Sequence, residues 1–111
     1  MYKLLGLDID GTLLNSSHKI SEKNKKYIRL LDEEGIKVVL LSGREPSSIK
    51  SFSSELGIRS PIVGLNGGII TDYTGEKIFY EESVDELCAR KTIELGEQYN
   101  MCSFVFVRNL L

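Results

Sequence analysis

The chain has 111 residues, of which 41% are hydrophobic and 27% are charged, and its net charge is −2. This composition is typical of one globular domain or of part of a larger one. The near balance of 14 basic and 16 acidic residues, without a block of like charges, argues against nucleic acid and anionic membranes as partners. The apolar start at residues 1–7 is too short for a signal sequence or a membrane span, so we expect a cytoplasmic protein.

The first part of the chain alternates between apolar strands and amphipathic helices. The run LLGL near the start predicts a strand that is buried on both faces, as in a parallel sheet. Alternation of this kind predicts an α/β fold with a Rossmann-like parallel sheet and right-handed crossovers. Strands are expected at about residues 2–8, 36–41 and 61–65.

Capping residues give the expected ends of the two helices between these strands. Ser21 is expected to cap the first helix, which runs to about Glu34 and is followed by Gly35. Pro46 suits the first turn of the second helix, and Gly57 is expected to end it.

The pattern changes after the third strand. Residues 68–81 predict a β-hairpin that turns at residues 72–76. Ser83 and Glu86 are spaced as a capping box for a helix that runs to about Tyr99. The alternating segment CSFVFV, residues 102–107, predicts another strand.

A lone helix and strand cannot close a second core. We therefore expect two parts, residues 1–82 and residues 83–111, of which the second is the truncated beginning of another α/β domain.

The first strand ends in the segment DIDGT, residues 8–12. Asp8 and Asp10 are two residues apart, so an extended backbone projects both carboxylates to the same side. A hard cation between them relieves their repulsion, and Mg²⁺ prefers a few carboxylate or carbonyl oxygens together with water and phosphate. Gly11 allows a tight turn at this point.

Polar residues also follow the second and third strands. Ser42 can donate a hydroxyl hydrogen bond to phosphate, and Asn66 can donate from its amide. Since ligands of open parallel sheets bind beyond the carboxyl ends of the strands, we expect these loops to meet in one crevice. The candidate loop residues are Ser42, Gly43 and Arg44 after the second strand, and Asn66, Gly67 and Gly68 after the third.

Each motif has a simpler interpretation when it is taken alone. DIDGT is compatible with a turn that has a capping aspartate, SGR with a plain loop, and NGG with a turn that needs positive φ. An EF-hand calcium loop is excluded because its glycine comes sixth and its glutamate twelfth, whereas Gly11 is fourth from Asp8 and the twelfth residue is Lys19. The three motifs at successive strand ends together favour a shared site.

The same motifs resemble those of haloacid dehalogenase-like hydrolases. LDIDGTLL resembles the first motif of that superfamily, and LLSGR resembles its second motif, with Ser42 where threonine is more frequent. GLNGGII resembles the segment after the third strand in the Cof-type sugar-phosphate phosphatases. The resemblance covers about residues 1–107, and it implies that residues 1–82 belong to the hydrolase core and residues 83–111 to the cap.

The resemblance implies a magnesium-dependent phosphatase that acts on small phosphorylated metabolites, sugar phosphates in particular. Asp8 is then the nucleophile that forms an aspartyl-phosphate, and Asp10 is the acid and base. The Asp8 carboxylate and the Asp10 backbone carbonyl are the implied Mg²⁺ ligands. The residues implied to bind phosphate or substrate are Thr12, Ser42, Gly43, Arg44, Asn66 and Gly67.

The sequence leaves open a loss of activity and two alternative functions. The superfamily also uses a lysine and further aspartates from later loops, and no residue of this chain matches them, so we expect the chain alone to be a weak or inactive catalyst. A phospho-accepting receiver domain is one alternative, although it usually carries its acceptor after the third strand, where this chain has Asn66. A non-catalytic remnant, or a folding unit that pairs with another chain, is the other.

Overall fold

A five-stranded mixed sheet organises the larger part of the protein. The structure is a computed structural model that describes residues 1–107. The strands lie side by side in chain order, with β1, β2 and β3 parallel and β4 and β5 antiparallel to their neighbours. They are β1 (Leu4–Asp8), β2 (Lys37–Leu41), β3 (Ile62–Gly64), β4 (Ile69–Thr71) and β5 (Ile78–Glu81). This architecture confirms the expected α/β class, the three parallel strands and the hairpin.

Three helices accompany the strands, and their ends follow local capping chemistry. They are α1 (Glu22–Glu33), α2 (Pro46–Leu56) and α3 (Glu86–Gln98). Ser21 caps α1 by accepting a hydrogen bond from the Asn24 amide. Gly57 ends α2 in the left-handed conformation, at φ 73°, which costs glycine little. The expected starts and ends of α1 and α2 are confirmed to within one residue.

The core of the first compact unit, Met1–Glu81, lies between α1, α2 and one face of the sheet. Val38 and Leu40, at alternate positions of β2, are both 1% exposed, whereas Leu41 at the end of the strand is 37% exposed. From the helices, Ile28 of α1 and Ile49 of α2 complete this apolar layer. Since the parallel strands follow chain order, crossovers of one hand bring both helices to the same face.

The first strand differs from its expectation. β1 is at the edge of the sheet, and Leu4 and Leu5 are 60% and 37% exposed. Burial on both faces is therefore wrong for the part of the chain that the structure describes. The apolar run predicts that a strand is present, but the burial of that strand depends on which elements cover it.

The last expectations lie in a second compact unit, which begins at Glu82. Asp85, and not Ser83, caps α3, and its side chain accepts a hydrogen bond from the Cys88 amide at 3.1 Å. Aspartate caps as well as serine does, so the serine two residues earlier lies outside the helix. The assignment of residues 1–82 to a catalytic core and of 83–111 to a cap stays a prediction.

The expected strand at residues 102–107 is also wrong. Residues 101–107 have no regular secondary structure, and Phe104 and Phe106 are 84% and 61% exposed. An alternating segment forms a strand only when a neighbour supplies its hydrogen-bond ladder, and within residues 1–107 this segment is paired with none.

Candidate active site

The carboxyl ends of β1, β2 and β3 surround one open cavity of about 330 Å³. Its lining combines polar groups from the three loops with two apolar strand ends: Asp8, Leu41, Ser42, Val63, Asn66 and Gly67. The parallel pairing of Asp8 with Leu41 places these ends at one edge of the sheet. The crevice expected from the sequence is therefore present, and it collects one residue or more from each loop.

Asp8 is the acidic member of this cavity. It ends β1 with an extended backbone, φ −72° and ψ 152°, and its side chain is exposed. The Thr12 hydroxyl donates a long hydrogen bond of 3.4 Å to its Oδ2. Thr12 thus contacts the carboxylate of Asp8, whereas the sequence suggested a contact with phosphate.

Gly11 shapes the turn between Asp10 and Thr12. Its φ of 75° lies in the left-handed region that favours glycine. The chain then continues to Leu13 and Leu14, which are buried in the core. The segment after β1 is thus anchored by apolar residues on one side and open to solvent at its acidic residues.

Asp10 has a different partner from the one that the sequence suggested. The Arg44 guanidinium donates two hydrogen bonds to it, from Nε to Oδ2 at 2.7 Å and from Nη2 to Oδ1 at 2.8 Å. Its charge is therefore balanced by an arginine. The hydrogen bond and the charge of Arg44 hold the pKa of the Asp10 carboxyl below its ordinary value.

The side chain of Arg44 points toward Asp10. The sequence indicated a phosphate or substrate contact, but its side chain reaches back across the site to Asp10. Asp10 in turn raises the pKa of Arg44, through the hydrogen bond and the opposite charge.

Hydrogen bonds between the second and third loops fix the floor of the cavity. Ser42 is 6% exposed; its amide donates to the Val63 carbonyl at 3.0 Å, and its carbonyl accepts from the Asn66 amide at 3.0 Å. The Ser42 hydroxyl accepts a hydrogen bond from the Arg44 amide at 3.2 Å. The hydroxyl retains its own proton for a ligand, since it acts as the acceptor in that bond.

Gly43 and Asn66 approach each other closely. A Cβ atom built on Gly43 would lie 3.2 Å from Asn66 Oδ1, so a larger residue at this position would require the Asn66 side chain to shift slightly. Asn66 itself has φ 55°, a value that asparagine tolerates better than most residues. Gly67, at φ 96°, completes the turn, and the NGG segment is a turn with positive φ as well as part of the cavity.

Four residues that were not predicted to belong to the site also shape it. Leu41 and Val63 line the cavity, and Ser48 and Phe52 of α2 contact the Arg44 side chain. The spacing of Ser48 and Phe52 by four residues on α2 was the available signal, since residues four apart share a helix face.

Neither a cluster of metal-ligating side chains nor a membrane-spanning helix is found among the residues that the structure describes. Residues 1–107 contain no group of three or more histidine, cysteine, aspartate or glutamate side chains that could hold a metal ion. None of their helices is both long enough and apolar enough to span a bilayer.

Comparisons with known proteins agree with this geometry. The family model described as haloacid dehalogenase-like hydrolase matches residues 5–110. Phosphatase YwpJ of Bacillus subtilis is 35% identical over 104 residues, which are 94% of this chain and 36% of that protein. A phosphoglycolate phosphatase of Thermoplasma volcanium is 36% identical over 87 residues, which are 77% of this chain and 39% of that protein.

Solved structures show the same fold. A haloacid dehalogenase-like hydrolase from Bacillus subtilis superposes with a TM-score of 0.80 at 35% identity, covering 88% of this chain and 34% of that structure. One from Bacteroides thetaiotaomicron gives 0.77 at 32% identity, covering 90% and 39%. The chain spans between a third and two fifths of these proteins. The match over nearly all of its length confirms the resemblance read from the motifs, and this chain belongs to the haloacid dehalogenase-like hydrolases.

Proposed function

We propose that this chain carries the nucleophile and the acid–base residue of a magnesium-dependent phosphatase that hydrolyses small phosphorylated metabolites. The observation that supports this most directly is the cavity that brings Asp8, Ser42 and Asn66 together at the carboxyl ends of three parallel strands. A carboxylate beside hydroxyl and amide donors is suited to attack a phosphoryl group while its oxygens are held.

In the first step, a carboxylate oxygen of Asp8 attacks phosphorus and the bond from phosphorus to the ester oxygen breaks. This forms an aspartyl-phosphate on Asp8, and the leaving oxygen takes a proton from Asp10. The Ser42 hydroxyl and the Asn66 amide hold the phosphoryl oxygens during the transfer. Thr12 keeps the Asp8 carboxylate oriented through the hydrogen bond to Oδ2.

In the second step, water attacks the same phosphorus and the bond to the Asp8 oxygen breaks. Asp10 accepts the proton of that water, so both aspartates return to their starting forms and inorganic phosphate leaves. The Arg44 ion pair favours the ionised form of Asp10, which suits it as the base of this step.

The donor groups fit magnesium. The Asp8 carboxylate lies in the cavity, and the Asp10 carboxylate is held by Arg44, so Asp10 would contribute its backbone carbonyl. One carboxylate and one carbonyl, completed by water and substrate phosphate, form the kind of oxygen set that Mg²⁺ accepts. When bound, the ion neutralises the negative charge that builds up on the phosphoryl group.

The substrate class rests on the relatives. The Thermoplasma volcanium relative is a phosphoglycolate phosphatase, a name that specifies a small phosphorylated acid. Sugar phosphates are the class implied by the GLNGGII segment. The cytoplasmic location expected from the sequence stays a prediction.

Substitution of the proposed nucleophile tests this function. We expect Asp8→Asn to abolish phosphate release from p-nitrophenyl phosphate in the longest product of the natural gene, assayed with Mg²⁺. The control is Asp32→Asn, since Asp32 is an exposed aspartate on α1, and its activity should stay within about twofold. Turnover that survives Asp8→Asn, or stable phosphorylation by acetyl phosphate without release of phosphate, would contradict the proposal.

A further inference from the structure

The Arg44 side chain is held by groups from two separate elements. Its two-pronged hydrogen bond reaches Asp10 in the loop after β1. Its remaining terminal nitrogen, Nη1, donates to the Ser48 hydroxyl at 3.3 Å. The Phe52 ring lies against the guanidinium, with its centroid 5.5 Å from Cζ.

Ser48 and Phe52 are well suited to fix a neighbouring side chain. They are four residues apart on α2, so they lie on the same face of the helix. Phe52 is partly buried and packs against the hydrophobic core. The core therefore sets the position of the ring, and the ring sets one side of the space that the guanidinium occupies.

The main chain of Arg44 is fixed as well. Its amide donates to the Ser42 hydroxyl at 3.2 Å, and its carbonyl accepts a hydrogen bond from the Leu65 amide at 2.9 Å. Since its backbone is tied both within its own loop and to the loop after β3, Arg44 retains freedom mainly in its side-chain torsions, and those are what Ser48 and Phe52 restrict.

We propose that Ser48 and Phe52 are positioning residues that hold the Asp10 carboxylate in place by fixing the guanidinium of Arg44. The placement rests on the contacts alone, whereas its catalytic meaning rests on the proposed function. Neither residue lines the cavity, and both contact the Arg44 side chain, through which they act.

A proton donor that is misplaced has a selective effect on catalysis. An alkyl phosphate such as glycerol 3-phosphate releases a basic alkoxide, which needs a proton as the bond to phosphorus breaks. p-Nitrophenyl phosphate releases a stable phenolate and needs that proton much less. Loosening of Asp10 should therefore reduce kcat for the alkyl ester more than for the aryl ester, with little change in KM.

The first test measures the placement in the 111-residue chain, without catalysis. Hydrogen exchange of the Arg44 Nε–H, followed by NMR, should become about two- to fivefold faster in Phe52→Leu and in Ser48→Ala, as expected for one lost cation–π contact or hydrogen bond. Phe52→Tyr retains a ring and should restore the original rate.

Matched controls are available elsewhere in the chain. Phe79→Leu removes a ring that makes a similar contact with Lys77, at 5.3 Å, and Ser47→Ala removes an exposed hydroxyl from the same turn of α2. Both should leave exchange at Arg44 unchanged. Equal exchange rates in the wild type, Phe52→Leu and Ser48→Ala would overturn the proposal.

The second test measures the consequence in the longest product of the natural gene. We expect Phe52→Leu to lower kcat for glycerol 3-phosphate by about two- to fivefold relative to its effect on p-nitrophenyl phosphate, and Phe52→Tyr to reverse the difference. Equal losses for both esters, with a lower melting temperature, would show a merely structural role and overturn the catalytic part. If no ester is hydrolysed at all, the proposed function fails, and the exchange measurement still decides the placement.

Discussion

Asp8 and Asp10 have different surroundings, although a single residue separates them. Asp8 lines an open cavity with hydroxyl and amide groups, and Asp10 is paired with Arg44. Two like residues can perform different tasks in one reaction when their environments differ. Here the difference comes from the loop after β2, which supplies the guanidinium.

The ion pair affects the proton transfer that Asp10 would perform in the proposed reaction. Because Arg44 stabilises the ionised form of Asp10, the carboxyl lacks, in this arrangement, the proton that it would donate in the first step. A phosphate group in the cavity brings negative charge close to Asp10, and like charge raises the pKa of a carboxyl. Substrate binding therefore acts in the direction that proton donation needs.

Replacement of Arg44 should move the titration of Asp10. We expect Arg44→Gln to raise the pKa of Asp10 toward the ordinary value for an aspartate, 3.8, since the hydrogen bond and the positive charge are both lost. The measurement is a carbon-detected NMR titration of the side-chain carboxyls, with Asp32 as the internal reference.

The Arg44–Asp10 ion pair also sets the direction in which stability should change with pH. A carboxyl with a depressed pKa in the folded state stabilises the fold above its unfolded pKa, and this contribution is lost as the pH falls through the folded pKa. In urea denaturation below about pH 4, the wild type should therefore lose more stability than Arg44→Gln. Parallel pH profiles for the two proteins would show that the ion pair is not formed in solution.

Among the elements, α1 depends most clearly on one capping residue. Ser21 accepts the Asn24 amide hydrogen bond at 3.1 Å, and so satisfies a donor that the helix leaves open. Ser21→Ala should lower the free energy of unfolding by about 1 kcal/mol, measured by urea denaturation. Ser16→Ala, in the exposed loop before α1, should change it by less than about 0.5 kcal/mol; equal effects would indicate that the cap contributes nothing.

Local signals and tertiary context explain which elements the sequence could predict. Ser21, Pro46 and Gly57 act on their own helices, so α1 and α2 were predicted almost to the residue. Strand formation at residues 102–107 and burial of β1 depend on neighbours, and those expectations were wrong. A periodic pattern indicates what a segment could form, and a partner decides whether it does.

The same division applies to the candidate site. Convergence of the three loops followed from parallel strands alone, because their carboxyl ends share one edge. The Arg44–Asp10 pair joins residues 34 positions apart, and it depends on the torsions of two loops that no local pattern encodes. The motifs thus predicted the location of the site more accurately than its internal pairing.

At the scale of the whole molecule, the charge balance of the cavity bears on the proposed reaction. Among the described residues, the cavity lining includes Asp8 but no lysine or arginine, and Arg44 is engaged by Asp10. A phosphate dianion must therefore approach a carboxylate with little protein charge to offset the repulsion. The similar proteins from Bacillus subtilis and Thermoplasma volcanium are about two to two and a half times as long as this chain, and such charge can come from their remaining length.

We expect the 111-residue chain alone to hydrolyse p-nitrophenyl phosphate slowly, with kcat below about 0.01 s⁻¹, against a median of about 10 s⁻¹ for enzymes. Omission of Mg²⁺ should lower it further. The assay is phosphate release by the purified chain, with Asp8→Asn as the blank. Rapid turnover that Asp8→Asn abolishes would show that the cavity residues suffice.

The edge position of β1 has a consequence for how the site is lost. Within residues 1–107 this strand is paired on one side, with β2, and it ends in Asp8. Strands with few contacts open locally at a lower free energy than the rest of a fold. Detachment of this single ribbon would carry away the attacking group together with the loop that bears Asp10, so the chemistry would disappear while most of the core stayed folded.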